Sequence, residues 1–566
     1  MKKVFLFSIA LAGLMLGSCS SSDELNGGAI GKNEGKTSYI AIDLNNVGSA
    51  PNSRAGDYAQ GGGTYEDGNA AESKVEKVRF YFFDNTGDAY PLKDQSYNYI
   101  EETPSMSGGP DHDKTIEQIS QSVLIINGEK DEDPAKVVAV INPQTLGNEL
   151  GTGTLSLSQL REKIAGSYVA TNNTAFVMSN SVYEDNAKNE FCATDLMGHI
   201  ATSAEAAEKS PVEVYVERVA AKVTTGVSAT DSNWESFKDG DVEKYRYPVG
   251  EFTDNTGKSY QVYAQVEGWG LADESSKAPL CKAELNDAWT DAELGIAPWT
   301  TADYHRCFWE LNKVNTSENP IKNYAFQDYT TALGSTPIYT LPNTPDVKLA
   351  TEDALYNNYL TKVLVAAKLV YKDGDIYKAA EICTYKGVRY LGENSVLTVI
   401  ANEFKTQLFT KTTQDGNDVY TGITPEDLEF DSHAAGIKEY QVVAKLKAGT
   451  YYVKKGSTYE VATEEDKRVV SLEPADVRKE GMAYYYTTIQ HLGSKGSLGE
   501  YGVVRNHVYR ITIGKIAGFG TPVYDPNKDI HPQLPSDTNA YLAAQINILS
   551  WRVVPSTVDL DKTTGK

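Results

Sequence analysis

Residues 39–44 of this chain read Tyr-Ile-Ala-Ile-Asp-Leu, in which aliphatic residues recur at every second position. Successive side chains of a β-strand point to opposite faces, so an alternation of this kind predicts a strand with one buried face. The buried face is predicted to carry the three aliphatic residues Ile40, Ile42 and Leu44. Ala41 and Asp43 share the opposite face.

Polar sequence lies on both sides of this predicted strand. Residues 20–36 are rich in Ser, Gly, Asn and Lys, and residues 45–63 are again polar and contain Gly. Such composition favours a flexible tether over a packed core. The sequence therefore predicts one isolated strand between two loose segments.

The first residues have the pattern of a secretory signal peptide. Lys2 and Lys3 precede an apolar run that is too short to span a bilayer, and the run ends in Leu-Gly-Ser-Cys at Cys19. This ending resembles the lipobox of bacterial lipoproteins, a resemblance that implies lipidation, such as palmitoylation, of Cys19 after cleavage. The acidic residues that follow resemble signals for the outer face of the outer membrane. An ordinary signal peptide with a chance cysteine is the alternative.

The charge of the chain argues against binding to nucleic acid. Its 566 residues carry a formal net charge of −24, with a pI near 4.8, and the acidic residues are spread along the sequence. Nucleic-acid phosphates require clustered Lys and Arg, so nucleic acid is not a predicted partner. The balance is typical of a soluble extracellular surface.

The cysteines do not form a disulfide framework. Those beyond Cys19 are Cys192, Cys281, Cys307 and Cys383, and no Cys-x-x-Cys pair occurs. Buried free thiols are the simpler interpretation, and a disulfide between Cys281 and Cys307 is the alternative.

Most of the remaining chain shows strand patterns separated by polar turns. The predicted strands are 75–83, 136–141, 176–180, 212–217, 220–223, 260–267, 363–371, 387–391, 395–401, 440–448, 484–489, 506–513 and 544–554. Residues 155–165 predict a helix with a capping box of Ser156 and Gln159, and Thr424 is predicted to cap a short helical turn. The sequence predicts a mainly β protein of paired β-sandwiches, divided in the weakly patterned region 309–339.

No catalytic motif is present. The sequence contains no H-E-x-x-H, G-x-S-x-G, P-loop or dinucleotide fingerprint, so we predict no enzyme activity, no catalytic residue, no cofactor and no metal site. A pair of convergent carboxylates cannot be recognised in so acidic a chain, and a secreted hydrolase stays an alternative.

Four local patterns together resemble the fimbrillins, the structural subunits of the type V pili of Bacteroidales, and in particular their short-fimbria major subunit. The strongest is YGVVRNHVYRITI at residues 501–513. The others are INILSWRV at 546–553, followed by VDL at 558–560, then VYVERVAAKV at 214–223 and LPNT at 341–344. Each pattern alone describes an ordinary strand, and fold alone does not establish function.

The stretch SRAGD at residues 53–57 resembles the maturation site of that family, at which an Arg-specific protease cuts. The resemblance implies cleavage between Arg54 and Ala55. The implied organisation is a lipoprotein signal at 1–19, a tether and removable strand at 20–54, and two transthyretin-like sandwiches at 55–320 and 321–566. The donor strand would lie at the end of the second sandwich.

The resemblance also implies polymerisation by strand exchange. Residues 39–44 would fill a groove in the first sandwich until cleavage after Arg54 allows them to leave. The tail of another copy would then occupy the groove, with Val553, Val558 and Leu560 as its apolar contacts, although Pro555 interrupts the strand pattern there. Such a head-to-tail contact does not close on itself and forms a filament.

The implied product is the stalk subunit of a cell-surface fimbrium that supports adhesion. Its partners would be copies of itself, other pilus subunits and the protease, with transient membrane anchoring through the lipid. It would begin as an outer-membrane lipoprotein and end in an extracellular fimbrium. The alternatives are a surface glycan-binding lipoprotein, and a tip or accessory adhesin of the same family.

Overall fold

The computed structural model describes residues 36–46, 69, 71–72, 74–103, 117–129, 131–166, 175–180, 193–253, 257–281, 311–312, 314, 316–349, 359–491, 493–532, 541–550 and 552–553. Several predictions lie outside these residues: the signal peptide, Cys19, the cleavage site at Arg54 and Ala55, and the tail residues Val558 and Leu560. Leu44 and Val553 are described by their backbone alone.

The strands of the first half of the chain, in order, are β1 Thr37–Asn46, β2 Val78–Phe83, β3 Tyr99–Glu102, β4 Glu117–Asn127, β5 Lys136–Ile141, β6 Ile164–Ala165, β7 Met178–Asn180, β8 Thr194–Asp195, β9 Val212–Arg218, β10 Ala221–Val227, β11 Glu235–Asp239, β12 Val242–Thr253, β13 Ser259–Ala272, β14 Glu274–Ser275 and β15 Ala278–Pro279.

The strands that follow are β16 Ile321–Lys322, β17 Ile338–Thr340, β18 Lys362–Asp373, β19 Ile376–Ala379, β20 Ile382–Tyr385, β21 Val388–Leu391, β22 Phe409–Gln414, β23 Asn417–Gly422, β24 Leu428–Asp431, β25 Val442–Leu446, β26 Tyr452–Lys455, β27 Thr458–Val461, β28 Pro474–Val477, β29 Met482–Thr488, β30 His507–Ala517, β31 Thr521–Pro522, β32 Tyr541–Ser550 and β33 Arg552–Val553. The α-helices are α1 Leu157–Arg161, α2 Ala204–Ala207, α3 Glu393–Phe404 and α4 Glu464–Lys467.

Five larger sheets contain most of these strands, so the predicted mainly β class is confirmed. Sheet A has the order β3-β2-β5-β7-β9-β1-β4, with β8 beside β5. Sheet B is β17-β10-β30-β32-β33, and sheet C is β11-β12-β13-β18-β29-β31, with β19 beside β18. Sheets D and E are β21-β20-β28-β25-β24 and β23-β22-β26-β27.

Sheets B and C share a hydrophobic core. Val223 and Ile511 from sheet B belong to the same buried cluster as Tyr247, Val262 and Val365 from sheet C. Both faces of sheet A are covered. The side chains of one face form a core that includes Ile40 and Ile42 of β1, and those of the other face pack against α1. Among the residues that the structure describes, no helix has the length and apolar character needed to cross a membrane.

The pairing of strands crosses the predicted division at residues 320 and 321. Strand β10 pairs in parallel with β30, and β13 pairs antiparallel with β18, although β10 and β13 precede that position and their partners follow it. The strands of sheet A, in contrast, end at Arg218. The described part of the weakly patterned region therefore connects strands that belong to a common core.

Two local predictions need correction. Residues 395–401, predicted as a strand, lie within α3, whose buried residues Val396, Leu397, Ile400 and Ala401 follow a helical spacing. The helix predicted over 155–165 is shorter: α1 has the predicted capping box of Ser156 and Gln159, but its last predicted residues form β6 and pair with β15. The turn capped by Thr424 is confirmed as a 3₁₀ helix.

Candidate functional site: strand β1 and its groove

Strand β1 lies inside sheet A, between two strands of opposite direction. It pairs antiparallel with β4 along its whole length and parallel with β9 from Ile42 to Asn46. Before β9 begins, Tyr39 forms two backbone hydrogen bonds of 2.8 Å with Ala201. Both edges of β1 are therefore occupied, and β4 is the outer strand of the sheet.

The side chains of β1 are buried more completely than the sequence suggests. Ile40 and Ile42 are 0% exposed and contact the inner core of sheet A, as predicted for that face. Ala41, on the opposite face, is also 0% exposed, and the short helix α2 lies against β1 and β4. At about 1.5–3 kcal/mol per buried aliphatic side chain, Ile40 and Ile42 together stabilise the docked strand by about 3–6 kcal/mol before ordering costs.

Ser38 near the beginning of β1, and Lys36 before it, form polar contacts with Asp133. Lys36 forms a 2.6 Å ion pair with Asp133, and the hydroxyl of Ser38 donates a hydrogen bond to the same carboxylate. Because the ion pair is partly exposed, its contribution to stability is small. These contacts therefore set the register of β1 in its groove and add little to the free energy that binds it.

The two ends of the connection from β1 to the rest of the chain are anchored close together. Asn46, the last residue of β1, pairs with Val216 on β9. The backbone carbonyl of Glu72 accepts a 2.9 Å hydrogen bond from Arg218, two residues further along the same strand. Residues 47–68, which include the predicted cleavage site, therefore join points that a much shorter connection could span.

Glu72 anchors the chain where the body of the protein begins. Its carboxylate is 0% exposed, forms a 2.9 Å ion pair with Lys222 on β10, and accepts hydrogen bonds from Tyr339 and from the backbone of Asn69. Burial alone would raise the pKa of Glu72, but the hydrogen bonds from Tyr339 and Lys222 and the charge of Lys222 outweigh burial and lower it. The ionised carboxylate thus ties this segment to sheet B.

This anchor predicts a pH dependence. Because the pKa of Glu72 is lower in the folded state, its ionised form stabilises the fold above the ordinary glutamate pKa, and that contribution is lost as the pH falls through the lowered value. We expect Glu72→Gln to be less stable than the parent at neutral pH and to lose less stability on acidification. Urea unfolding midpoints measured from neutral to acid pH test this, with the exposed Glu149→Gln as the control. Equal acid sensitivity of the parent and Glu72→Gln would contradict it.

Four sequence patterns that lie far apart along the chain meet at one junction. Arg505 and Glu217, both 0% exposed, form an ion pair of 3.8 Å between Nε and Oε1. The guanidinium of Arg505 also donates to the carbonyls of Pro279 and Leu280, at 2.7 and 3.0 Å. Arg218 donates its backbone N–H to the side chain of Asn506.

The two remaining patterns join the same region. Asn343, in the LPNT stretch, exchanges two backbone hydrogen bonds of 2.8 Å with Val503. Strand β32 pairs antiparallel with β30, so that Ile546 lies opposite Ile511. Strand propensity could not predict this junction. The available signal was charged residues, Glu217, Arg218 and Arg505, within otherwise apolar stretches.

Breaking the buried pair at this junction is expected to destabilise the protein strongly. Arg505→Met removes one partner of this buried ion pair, and such a removal costs about 3–5 kcal/mol. The measurement is the free energy of the first unfolding transition in urea. Arg510→Met, at an exposed site on β30 just after Arg505, is the control and should change it by no more than about 0.5 kcal/mol. Equal effects of both variants would contradict the prediction.

The C-terminal segment begins at the edge of a different sheet. Strand β33 turns back from β32, pairing Val553 with Leu549, at the end of sheet B. The predicted donor residues after Trp551 thus start from sheet B, whereas the groove of β1 lies in sheet A. The structure does not describe the rest of the tail.

The described cysteines are buried, and Cys383 is a free thiol. Cys192 and Cys307 lie outside the described residues, so the alternative of a disulfide between Cys281 and Cys307 stays open. In the parts of the chain that the structure covers, no cluster of three His, Cys, Asp or Glu side chains is arranged to hold a metal.

A protein-family model, described as major fimbrial subunit protein type IV, fimbrillin, C-terminal, matches residues 478–556. The match includes two of the four sequence patterns, at 501–513 and 546–553. The resemblance to the fimbrillins is thereby confirmed. The chain has no match among curated protein sequences.

Two solved structures align with most of the chain at low sequence identity. A proposed cell adhesion protein of Parabacteroides distasonis is 9% identical, with a TM-score of 0.36, and the alignment covers 91% of this chain and 99% of that one. The tip fimbrial protein Mfa3 of Porphyromonas gingivalis, with a C-terminal truncation, is 10% identical, with a TM-score of 0.30 and coverage of 90% and 99%.

Proposed function

We propose that this chain, a relative of the fimbrillins, is a structural stalk subunit of a cell-surface pilus that is polymerised by strand exchange. It is exported as a lipoprotein through Cys19 and matured by cleavage between Arg54 and Ala55. Strand β1 then leaves sheet A and a strand from another copy takes its place. The subunit has a structural role in adhesion and not a catalytic one.

The observation that carries this proposal is the position of β1. It is an inner strand with a partner on each side, and its side chains Ile40, Ala41 and Ile42 are all 0% exposed. Its link to the body contains the predicted protease site. A cut in that link removes a strand from inside a sheet while Glu72 holds the rest of the chain in place.

Departure of β1 would leave a groove that accepts a replacement strand in a defined direction. The edges of β4 and β9 lose their partners, and the apolar residues beneath Ile40 and Ile42 become exposed. Unpaired edges above an apolar floor favour addition of another strand. A strand that replaces β1 in full runs antiparallel to β4 and parallel to β9.

The tail after Trp551 is the proposed donor, with Val553, Val558 and Leu560 as its apolar contacts. It starts from sheet B, and the groove lies in sheet A, so donor and acceptor surfaces are different. Contacts between different surfaces are heterologous and propagate into a filament. A stalk subunit needs both a tail that donates a strand and a link that can be cut, and the sequence predicts both, which favours a stalk role over a tip role.

N-terminal sequencing of the protein taken from the surface of cells tests the maturation step. We expect the mature chain to begin at Ala55, because cleavage removes β1 together with the lipid anchor. A chain that retains residues 20–54 would contradict the proposal and favour a surface lipoprotein that keeps its anchor.

Weakening the contacts of β1 is expected to speed assembly. Ile42→Ala removes buried methyl and methylene groups and destabilises the docked strand by about 2–5 kcal/mol, so β1 should leave faster after cleavage. The time course of light scattering after protease addition measures this. Ile125→Ala, on the neighbouring strand at a side chain that is 54% exposed, is the control and should keep the parental rate. An unchanged rate for Ile42→Ala would contradict the prediction.

A further inference from the structure

A cleft lies on the face of sheet C that is turned away from its core with sheet B. Its volume is about 840 Å³, within the range of pockets that bind small organic molecules. Lys244, Glu267 and Lys368 form its floor on three adjacent strands, β12, β13 and β18. Phe326, Lys479 and Tyr524 belong to its walls.

Two lysines lie on the floor of the cleft, and they differ in their ion pairs. Lys244 is neutralised by ion pairs of 2.8 Å with Asp239 and 2.9 Å with Glu267. Lys368 is half-buried beside Gln265 and Met482 on the neighbouring strands. Within the residues that the structure describes, no carboxylate forms an ion pair with Lys368. Its ammonium group is therefore available to a ligand anion.

One wall of the cleft provides an apolar surface with polar groups beside it. The ammonium group of Lys479 lies 4.7 Å from the centre of the Tyr524 ring, and Phe326, another residue of the lining, is buried. The side chains of Glu480 and Asp525 add hydrogen-bond acceptors to the rim. An aromatic face beside hydrogen-bonding groups suits a ligand that is apolar on one side and hydroxylated at its edges.

The backbone of the floor excludes one class of ligand. Lys368 lies on β18, which pairs there with β13 on one side and with β29 on the other, so the N–H and C=O groups of this strand are already used within the sheet. An extended peptide that binds by adding a strand finds no free edge there. Recognition on this floor depends on side chains, and carboxylate, amide and ammonium groups can together bind the hydroxyls of a sugar.

We propose that this cleft binds an acidic oligosaccharide, with Lys368 contacting a sugar carboxylate and a sugar ring lying beside the wall that Lys479 and Tyr524 form. The site is separate from the groove of β1, which lies in sheet A. It would give a subunit in the filament its own contact with a glycan surface. Binding therefore does not require cleavage or polymerisation.

The test uses the uncleaved full-length precursor and two matched sets of probes. The first set is sialic-acid- and uronate-containing oligosaccharides, and the second is the same compounds with their carboxyl groups reduced to alcohols. Titration calorimetry should detect the acidic set, with at least tenfold weaker binding of the reduced set. Lys368→Ala should weaken binding of the acidic set more than tenfold. Lys372→Ala, an exposed lysine on the same strand and outside the cleft, should leave it unchanged.

Three results would overturn the proposal. One is the absence of measurable binding by every acidic oligosaccharide, including the case in which an acidic peptide binds instead. Another is equal affinity for the acidic and reduced probes. The third is an equal loss of binding in Lys368→Ala and Lys372→Ala, since that would indicate non-specific attraction to surface charge. None of these results bears on strand exchange, so the two proposals fail independently.

Discussion

Cleavage of the purified precursor after Arg54 is expected to turn a monomer into long head-to-tail polymers. Before the cut, β1 occupies the groove and is covalently joined to the body through residues 47–68. After the cut, β1 is held by non-covalent contacts alone and can be replaced by the tail of another copy. Size-exclusion chromatography with light scattering reports the change in mass, and electron microscopy reports filaments.

The control for this experiment is Arg54→Gln, treated with the same arginine-specific protease. It retains β1 and should stay monomeric under conditions in which the parent assembles. Mass spectrometry must show that the parent is cut between Arg54 and Ala55 and that the fragment containing β1 is absent from the polymer. A correctly cleaved parent that stays monomeric at high concentration would refute strand exchange.

Removing the tail is expected to abolish assembly completely. A chain that ends at Trp551 loses the short edge strand β33 but keeps β32 and its pairing with β30, so the rest of sheet B is expected to fold, and the chain has no strand to donate. After cleavage, this truncated protein should stay monomeric. It should still accept a synthetic peptide of residues 552–566 in its groove. Circular dichroism and the unfolding midpoint check that the truncated chain is folded.

Point variants in a tail of full length test whether its apolar side chains, and not only its presence, are needed for assembly. Val558→Asp with Leu560→Asp places charges on the face predicted to enter the groove, and we expect it to stop assembly of the full-length chain. Thr557→Asp with Asp559→Asn changes the alternate positions and should have little effect. Assembly of the chain that ends at Trp551 would show that the donor lies elsewhere.

The strand at 39–44 could be predicted because its pattern is local. Alternation of Ile40 and Ile42 places both on the buried face, and the structure confirms their burial. The burial of Ala41 could not be predicted from that alternation. It depends on α2, a short helix about 160 residues away in sequence that lies against β1.

Local patterns could not predict the junction at Arg505 either, because it also depends on contacts between residues that are distant in sequence. Glu217 and Arg505 come from distant parts of the chain, and the pairing of β10 with β30 brings them together. A charged residue inside an apolar strand signals a buried contact, but the sequence does not identify the partner. The error at α3 had a different cause, because a short apolar run such as Val396 and Leu397 fits a buried strand as well as a helix.

The close anchoring of the two ends of the link, at Val216 and Arg218, has a consequence for the direction of assembly. While the link is intact, β1 is retained near its groove at an effective concentration on the order of millimolar. Once the link is cut, that strand dilutes to the concentration of free protein, and at micromolar levels its rebinding becomes weaker by about 1,000-fold, or about 4 kcal/mol. Since this loss is comparable with the free energy from burying Ile40 and Ile42, proteolysis drives the exchange forward by dilution, without any change in the groove.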